Sequence, residues 1–209
     1  MLCGLETMVK KIRTSGGAAL ATTMRECGID FFSYVSGGMG VSFYKELDKA
    51  NINMVLCRNE KAACNVADGY SRVAKKPSVC YSQHGAAAAI LASMLYEPMF
   101  CHSPVVALTG SVPTSDKDRW YYQECYEMPY FESTCKFNVD VTDVSRIAEY
   151  VRTAIQMAVS GCPGPTHLNY RGLKPAGSYV LPLLLDIIRV ILTQFISNLK
   201  DGAFLLYKQ

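Results

Sequence analysis

The feature that most constrains the fold is a regular alternation of short apolar runs with segments whose apolar residues recur at helical spacing. Six such runs occur, and Gly or Pro adjoins three of them, as is common at strand ends. The predicted strands span residues 31–35, 53–57, 78–82, 105–109, 136–141 and 166–170. Because predicted helices fill the intervals, parallel strands joined by helical crossovers are favoured. We therefore predict an α/β fold, with a doubly wound, mostly parallel six-stranded sheet and helices on both faces.

The predicted helices differ in how clearly their apolar residues define one face. They span residues 16–27, 41–50, 60–74, 85–100 and 144–159. The last of these has the clearest apolar face and ends at Gly161, just as Gly28 closes the first helix. Residues 110–130 form a long connection rich in Tyr, Asp and Pro. Connections of this length are often functional loops.

Composition narrows the class of protein. Half of the 209 residues are hydrophobic and the net charge is only +3, without an extended basic cluster. We therefore expect neither nucleic acid nor a membrane as a partner. The nine cysteines include no C-x-x-C pair. This pattern argues against metal ligation and disulfides, and favours reduced thiols in a cytoplasmic protein.

Glu60 stands at the junction between the predicted strand 53–57, which we expect to be buried, and the predicted helix 60–74. Ligands of open α/β sheets bind outside the carboxyl ends of the strands, so this carboxylate is a candidate site residue. An acid in the first helical turn also stabilises the helix dipole without any ligand. The residues alone leave both interpretations open. The glycine-rich segment 36–40 does not match G-x-G-x-x-G, and no P-loop pattern occurs, which disfavours a nucleotide-binding domain.

Six short motifs follow one another in a distinctive order. They are GGAAL at 16–20, SGG at 36–38, RNEKAA at 58–63, ADGYSR at 67–72, SPVVALTGSVPT at 103–114 and GCPGP at 161–165. In this order and spacing they resemble the N-terminal, pyrimidine-binding domain of thiamine-diphosphate enzymes. The resemblance is closest to the acetolactate synthase-like branch and covers about residues 14–172.

The resemblance implies that Glu60 is the catalytic residue of this domain. In that family a glutamate here hydrogen-bonds N1′ of the thiamine diphosphate pyrimidine and favours the imino form that removes the thiazolium C2 proton. The implied activity is that of a 2-keto acid carboligase or decarboxylase, whose cofactor carries the difficult chemistry. The choice between these two activities and the identity of the small 2-keto acid stay open.

The resemblance also assigns residues to the cofactor pocket. Ser36, Gly37 and Gly38 stand where the family has a Pro-Gly-Gly-type loop, with Ser36 in place of the proline. Gly85 is the residue retained from a Gly-Pro-Gly turn that faces the pyrimidine. Together with Glu60, these four residues are the expected cofactor-binding set.

Three further residues are candidates for the substrate side of the pocket, namely Gln83, His84 and Gln123. An imidazole at His84 can titrate near neutral pH, although a hydrogen-bonded structural histidine at a helix start is the alternative. Gln123 and Glu124 match a Gln-Glu pair that follows an aromatic residue near the active-site entrance and the dimer contact. A solvated loop is the alternative for this pair.

The family's magnesium motif, Gly-Asp-Gly followed by a later Asn, does not occur in this sequence. Mg²⁺ favours carboxylate and phosphate oxygens, so we expect its ligands on a separate diphosphate-binding domain. A homodimer or a partner chain would supply that domain, and the chain alone should be inactive. The predicted pyrimidine-binding domain spans residues 1–173.

Residues 174–209 form a tail outside the family pattern, with an apolar helix predicted over 181–199. The tail favours a truncated product over a natural subunit of a split enzyme. A second hypothesis treats the chain as a non-catalytic dimerisation or regulatory module derived from such an enzyme. The altered turn at Gly85 favours that module, whereas the retained Glu60 favours the enzyme.

Overall fold

The computed structural model describes residues 11–37, 40–171 and 177–180. Its strands are β1 Lys11–Thr14, β2 Phe31–Tyr34, β3 Asn53–Leu56, β4 Ser78–Ser82, β5 Val105–Gly110, β6 Phe137–Val141, β7 Thr166–Tyr170 and β8 Gly177–Val180. Its helices are α1 Gly16–Glu26, α2 Val41–Lys49, α3 Glu60–Ala74, α4 Ala86–Met94, α5 Tyr96–Phe100, α6 Met128–Glu132 and α7 Ile147–Val159. Within the described residues, no helix is both long enough and apolar enough to cross a lipid bilayer.

Six strands form one parallel sheet in the order β3-β2-β4-β5-β7-β6. The chain passes from β2 outward to β3 and then crosses back to β4 on the other side of β2. The topological switch point therefore lies between β2 and β4, where successive connections leave in opposite directions. The predicted α/β class and parallel six-stranded sheet are confirmed.

Alternation along the central strands divides the core into two layers. Val79 and Tyr81 of β4 pack in one apolar cluster with residues of α1, α2 and α7. Cys80, between them, packs in the other cluster with residues of α3, α4 and α6. Because successive strand side chains point to opposite faces, each central strand needs a helix on either side.

The strand β3 is not buried, contrary to the prediction from its apolar sequence. Val55 and Leu56 are 37% and 62% exposed. In the described part of the sheet β3 pairs with β2 alone and forms an edge. An apolar run indicates a strand but does not reveal whether the strand is central or at an edge, so the sequence could not anticipate this exposure.

The predicted helix 85–100 is two helices, α4 and α5, which meet at Leu95. Pro98 explains the break, since proline has no N–H to donate to the carbonyl of residue 94, and its ring clashes with that carbonyl in a continuous helix. The buried Pro98 instead lies within α5. The remaining predicted helices agree with the structure to within a few residues.

A two-stranded antiparallel ribbon joins the two ends of the described chain. It pairs β1 with β8, with Lys11 opposite Val180 and Thr14 opposite Gly177. The sequence predicted neither strand, and β8 lies inside the predicted tail. The predicted helix 181–199 lies outside the described residues.

Two helical glycines give opposite expectations for substitution by alanine. A Cβ at Gly17 would overlap the carbonyl of Ser42 and lie 3.2 Å from the Cα of Phe43, whereas a Cβ at Gly69 would have nothing within 4 Å. We expect Gly17→Ala to lower the free energy of unfolding by about 1–3 kcal/mol, because it overpacks the contact between α1 and α2. We expect Gly69→Ala, inside α3, to raise it by about 0.5–1 kcal/mol, because alanine loses less backbone entropy.

Urea unfolding followed by circular dichroism measures both changes. Gly69→Ala is the matched control for adding one methyl group to a helix. A shift of the same sign and size in both variants would contradict the described contact between α1 and α2.

Candidate functional site

The candidate site lies at the carboxyl edge of the sheet, at the switch point. Ser36 and Gly37 follow β2, and Gln83 begins the turn after β4. The side chain of Gln83 lies so close to Gly37 that a Cβ at residue 37 would overlap it. A side chain at this position would require the flexible end of Gln83 to move, and the two turns are in contact across the switch point. Gly38 lies outside the described residues.

Gly85 connects β4 to α4 in a conformation that suits glycine alone. Its φ and ψ are 71° and −131°, in the mirror image of the β region, which side chains with a Cβ rarely adopt. A Cβ there would also lie 2.9 Å from the carbonyl oxygen of Gln123. The backbone of the 110–130 connection therefore packs directly against this turn.

His84 fixes the same connection from inside the turn. The imidazole is 1% exposed, and its Nε2 lies 2.7 Å from the carbonyl oxygen of Tyr122. Because a carbonyl only accepts, Nε2 donates this hydrogen bond. The other nitrogen, Nδ1, is buried and has no hydrogen-bond partner among the described residues. His84 thus uses Nε2 to hold the connection, while its Nδ1 has no partner among the described residues.

Glu127 is a buried carboxylate that the sequence analysis missed. It is 0% exposed, and its oxygens accept from the hydroxyl of Ser111 at 3.2 Å and from the backbone N–H of Gly85 at 3.5 Å. Ser111 follows β5, so Glu127 joins the ends of two central strands. Burial, together with the nearby Glu127 carboxylate, raises the pKa of Cys125. Nothing in the sequence distinguishes a buried acid from an exposed one within a long polar connection.

Glu124 stabilises the 110–130 connection through hydrogen bonds to its backbone. Its carboxylate accepts from the backbone N–H groups of Asp118 and Tyr121 at 2.6 and 3.0 Å, and these bonds lower its pKa. The exposed Gln123 has a left-handed φ of 57°. Beside these residues lies an open cavity of about 330 Å³, which Lys117 and Arg171 also line.

Glu60 begins α3 on the other side of the switch point. The side chain of Asn59 caps the helix by accepting from the N–H of Ala62 at 2.8 Å. The backbone bond from Cys57 to Tyr34, at 2.8 Å, holds this turn beside the end of β2. Glu60 is half-buried, and no described residue forms a hydrogen bond or ion pair with its carboxylate. It is a free acceptor at a helix N-terminus.

His167, by contrast, is a fully satisfied core residue. Nδ1 donates to the amide oxygen of Asn138 at 2.7 Å, Nε2 lies 2.8 Å from the hydroxyl oxygen of Thr109, and Phe131 stacks on the ring at 3.4 Å. Burial lowers the pKa of His167 well below its usual value of 6.5.

The thiamine pyrophosphate enzyme N-terminal TPP binding domain matches residues 14–129, more than half of the chain. The chain belongs to the thiamine pyrophosphate enzyme family. It is 31% identical over 154 residues to a probable acetolactate synthase large subunit of Methanocaldococcus jannaschii, covering 74% of this chain and 26% of that protein. Acetolactate synthase 2, chloroplastic, of Brassica napus is 32% identical over 156 residues, with 74% and 24% covered.

A third relative, acetolactate synthase 2, chloroplastic, of Nicotiana tabacum, is 35% identical over 146 residues, which cover 69% of this chain and 22% of that protein. The chain thus spans about a quarter of the length of the curated relatives it matches. The predicted resemblance to acetolactate synthase-like enzymes is confirmed. The cofactor that this family implies is thiamine diphosphate.

The residues of the site suit a pyrimidine ring. Glu60 offers an unpaired acceptor, and Gly37 and Gly85 carry no side chains, although Gln83 lies over Gly37 and Gln123 packs on Gly85. Gln83 lines the same surface from β4. Among the described residues, no group of three or more His, Cys, Asp or Glu side chains is arranged to hold a metal ion.

The environment of His167 makes stability depend on pH between about 5 and 7. In the unfolded chain this histidine binds a proton below about pH 6.5, but in the folded protein it does not. The contribution of His167 to the free energy of unfolding should therefore be fully present above about pH 6.5. Below that pH the free energy of unfolding should fall by at most about 1.4 kcal/mol per pH unit. Urea unfolding at half-unit pH steps measures this slope.

His167→Gln should flatten the slope, whatever its effect on stability at neutral pH. The exposed His102, changed to Asn, is the control and should leave the slope in place. An unchanged slope in His167→Gln would assign the pH dependence to another group.

Proposed function

We propose that this chain is the pyrimidine-binding part of a thiamine-diphosphate-dependent 2-keto acid carboligase or decarboxylase, in which Glu60 activates the cofactor. The observation that carries the proposal is the unpaired Glu60 carboxylate, half-buried at the start of α3 and beside the switch point. Family membership supports the cofactor, and the names of the relatives support acetolactate-forming chemistry. The final substrate is left open.

When bound, thiamine diphosphate supplies a nucleophilic carbon that adds to the carbonyl of a 2-keto acid. The task of Glu60 is to hold a proton at N1′ of the pyrimidine. A carboxylate in a partly desolvated crevice shares a proton with a ring nitrogen far better than one in bulk water does. An acid with an ion-pair partner would have to give up that partner first, and Glu60 has none among the described residues.

The other candidate residues follow β2 and β4, the strands on either side of the switch point. We assign Ser36, Gly37 and Gly85 to the cofactor pocket, with backbone as the contact surface. Gln83 lies against Gly37, so cofactor entry would require its side chain to turn aside.

Three candidates belong to the substrate side. His84 acts by holding Tyr122, so that Gln123 stays over the turn. His84 contacts the connection that carries the cavity, and Gln123 lies within it, which supports the proposed substrate side. Gln83, the third candidate, immediately precedes His84.

The diphosphate and Mg²⁺ would be held by a separate domain, either in a second copy of a longer protein or in a partner chain. The relatives are about four times as long as their matched portion, which supports this division of labour. The isolated chain would then be inactive. The contact of Gln83 with Gly37, inside the proposed pocket, favours the second candidate function, a non-catalytic dimerisation module.

Isothermal titration with thiamine diphosphate and Mg²⁺ separates the two functions. The chain would be titrated alone and together with the diphosphate-binding domain of an acetolactate synthase large subunit. Binding that requires the added domain supports the enzyme, whereas no binding in either case supports the dimerisation module.

Glu60→Gln tests the role of the carboxylate in the assembled complex. Loss of the carboxyl group that shares a proton with N1′ should slow exchange of the cofactor C2 proton by on the order of 10²–10⁴-fold, as measured by NMR in D₂O. Glu149→Gln is the matched control, because Glu149 also lies in a first helical turn but pairs with Arg146. It should leave exchange unchanged. Exchange that is equally fast in Glu60→Gln would sink the assignment.

A further inference from the structure

A cysteine–histidine pair lies at the amino edge of the sheet, opposite the candidate site. His102 precedes β5 and Cys162 precedes β7, and these two strands are neighbours. The Sγ of Cys162 lies 3.0 Å from Nδ1 of His102, and both side chains are exposed. Neither residue takes part in the proposed function.

The backbone around this pair is fixed on both sides. His102 has a left-handed φ of 54°, an uncommon conformation for a residue with a Cβ. The ammonium of Lys136 donates to the carbonyls of Met157, Ser160 and Cys162 at 2.8, 2.8 and 2.5 Å. The backbone that carries the two side chains is therefore held in place by the folded chain.

The geometry places a base beside the Cys162 thiol. The imidazole of His102 can accept the thiol proton, and the resulting imidazolium then stabilises the negative sulfur. The Lys136 ammonium, bonded to the Cys162 carbonyl, adds positive potential to the same turn. Cysteines that react with oxidants sit in such electropositive, accessible surroundings.

The neighbouring Cys101 provides a contrast within the same protein. Cys101 and Cys162 are the two exposed cysteines in the part of the chain that the structure describes. The thiol of Cys101 donates to a carboxylate oxygen of Glu97 at 3.3 Å, and this bond raises the pKa of Cys101. Two exposed thiols thus have different partners: the imidazole of His102 for Cys162 and the carboxylate of Glu97 for Cys101.

We propose that Cys162 is a redox modification site, at which a hydroperoxide oxidises the thiol to a sulfenic acid with His102 as the proton carrier. The Cys162 thiolate attacks one peroxide oxygen, an S–O bond forms and the O–O bond breaks. The leaving hydroxide or alkoxide takes the proton from His102 and departs as water or an alcohol. Sulfur loses two electrons and the peroxide gains them, so no further co-reactant is needed.

The test measures thiol reactivity in the full 209-residue chain. Limiting iodoacetamide at pH 7, followed by peptide mass spectrometry, gives an alkylation rate for each cysteine. We expect Cys162 to react on the order of 10-fold faster than Cys101, because a thiolate and not a thiol is the nucleophile. With hydrogen peroxide and dimedone, Cys162 should be the first cysteine labelled as a sulfenic acid.

Two variants test whether His102 and Glu97 cause the difference in reactivity between Cys162 and Cys101. His102→Asn keeps a residue that tolerates the left-handed conformation but removes the base, so alkylation and dimedone labelling at Cys162 should fall to the level of Cys101. Glu97→Gln should accelerate Cys101 and leave Cys162 unchanged. Equal rates for the two thiols in the unmodified chain, or a Cys162 rate that survives His102→Asn with native circular dichroism, would overturn the proposal.

Discussion

Every other feature of this domain depends on the burial of the two central strands, β4 and β5, on both faces. All residues of these strands are buried, and the apolar ones alternate between two clusters. Neither strand can keep its place unless helices cover both sides, which forces the chain to cross from one face to the other. The crossing creates the switch point between β2 and β4. The candidate site is therefore a consequence of how the core is covered.

The same topology separates two kinds of chemistry. Turns that leave the carboxyl edge carry Glu60, Gly37 and Gly85, whereas turns that enter at the amino edge bring His102 to Cys162. At the carboxyl edge glycines let neighbouring turns pack closely, and Glu60 is an acceptor without a described partner. At the amino edge the backbone carbonyls are occupied by Lys136, and the polar side chains pair with each other. The first edge carries the proposed ligand pocket, and the second carries the thiol that we propose as a modification site.

The sequence predicted those parts of the structure that local pattern controls. The parallel sheet followed from apolar runs and helical spacing, and the place of Glu60 followed from a strand–helix junction. The exposure of Leu56 did not follow, because an apolar run is the same in an edge strand and in a central one. The pairing of β1 with β8 joins residues from opposite ends of the described chain, and no local signal indicates it. The burial of Glu127 likewise depends on how a long connection folds back over Gly85 and Ser111.

Polar groups without adequate partners are concentrated around the candidate site. Nδ1 of His84 is buried and unpaired, Glu127 is buried with two long bonds, and Glu60 has no described partner. Each such group costs folding free energy, because water is lost and little replaces it. At the core histidine, His167, the same kind of side chain is fully bonded. Since this fold can satisfy a buried imidazole, the incomplete bonding near Gly85 supports the proposed ligand pocket.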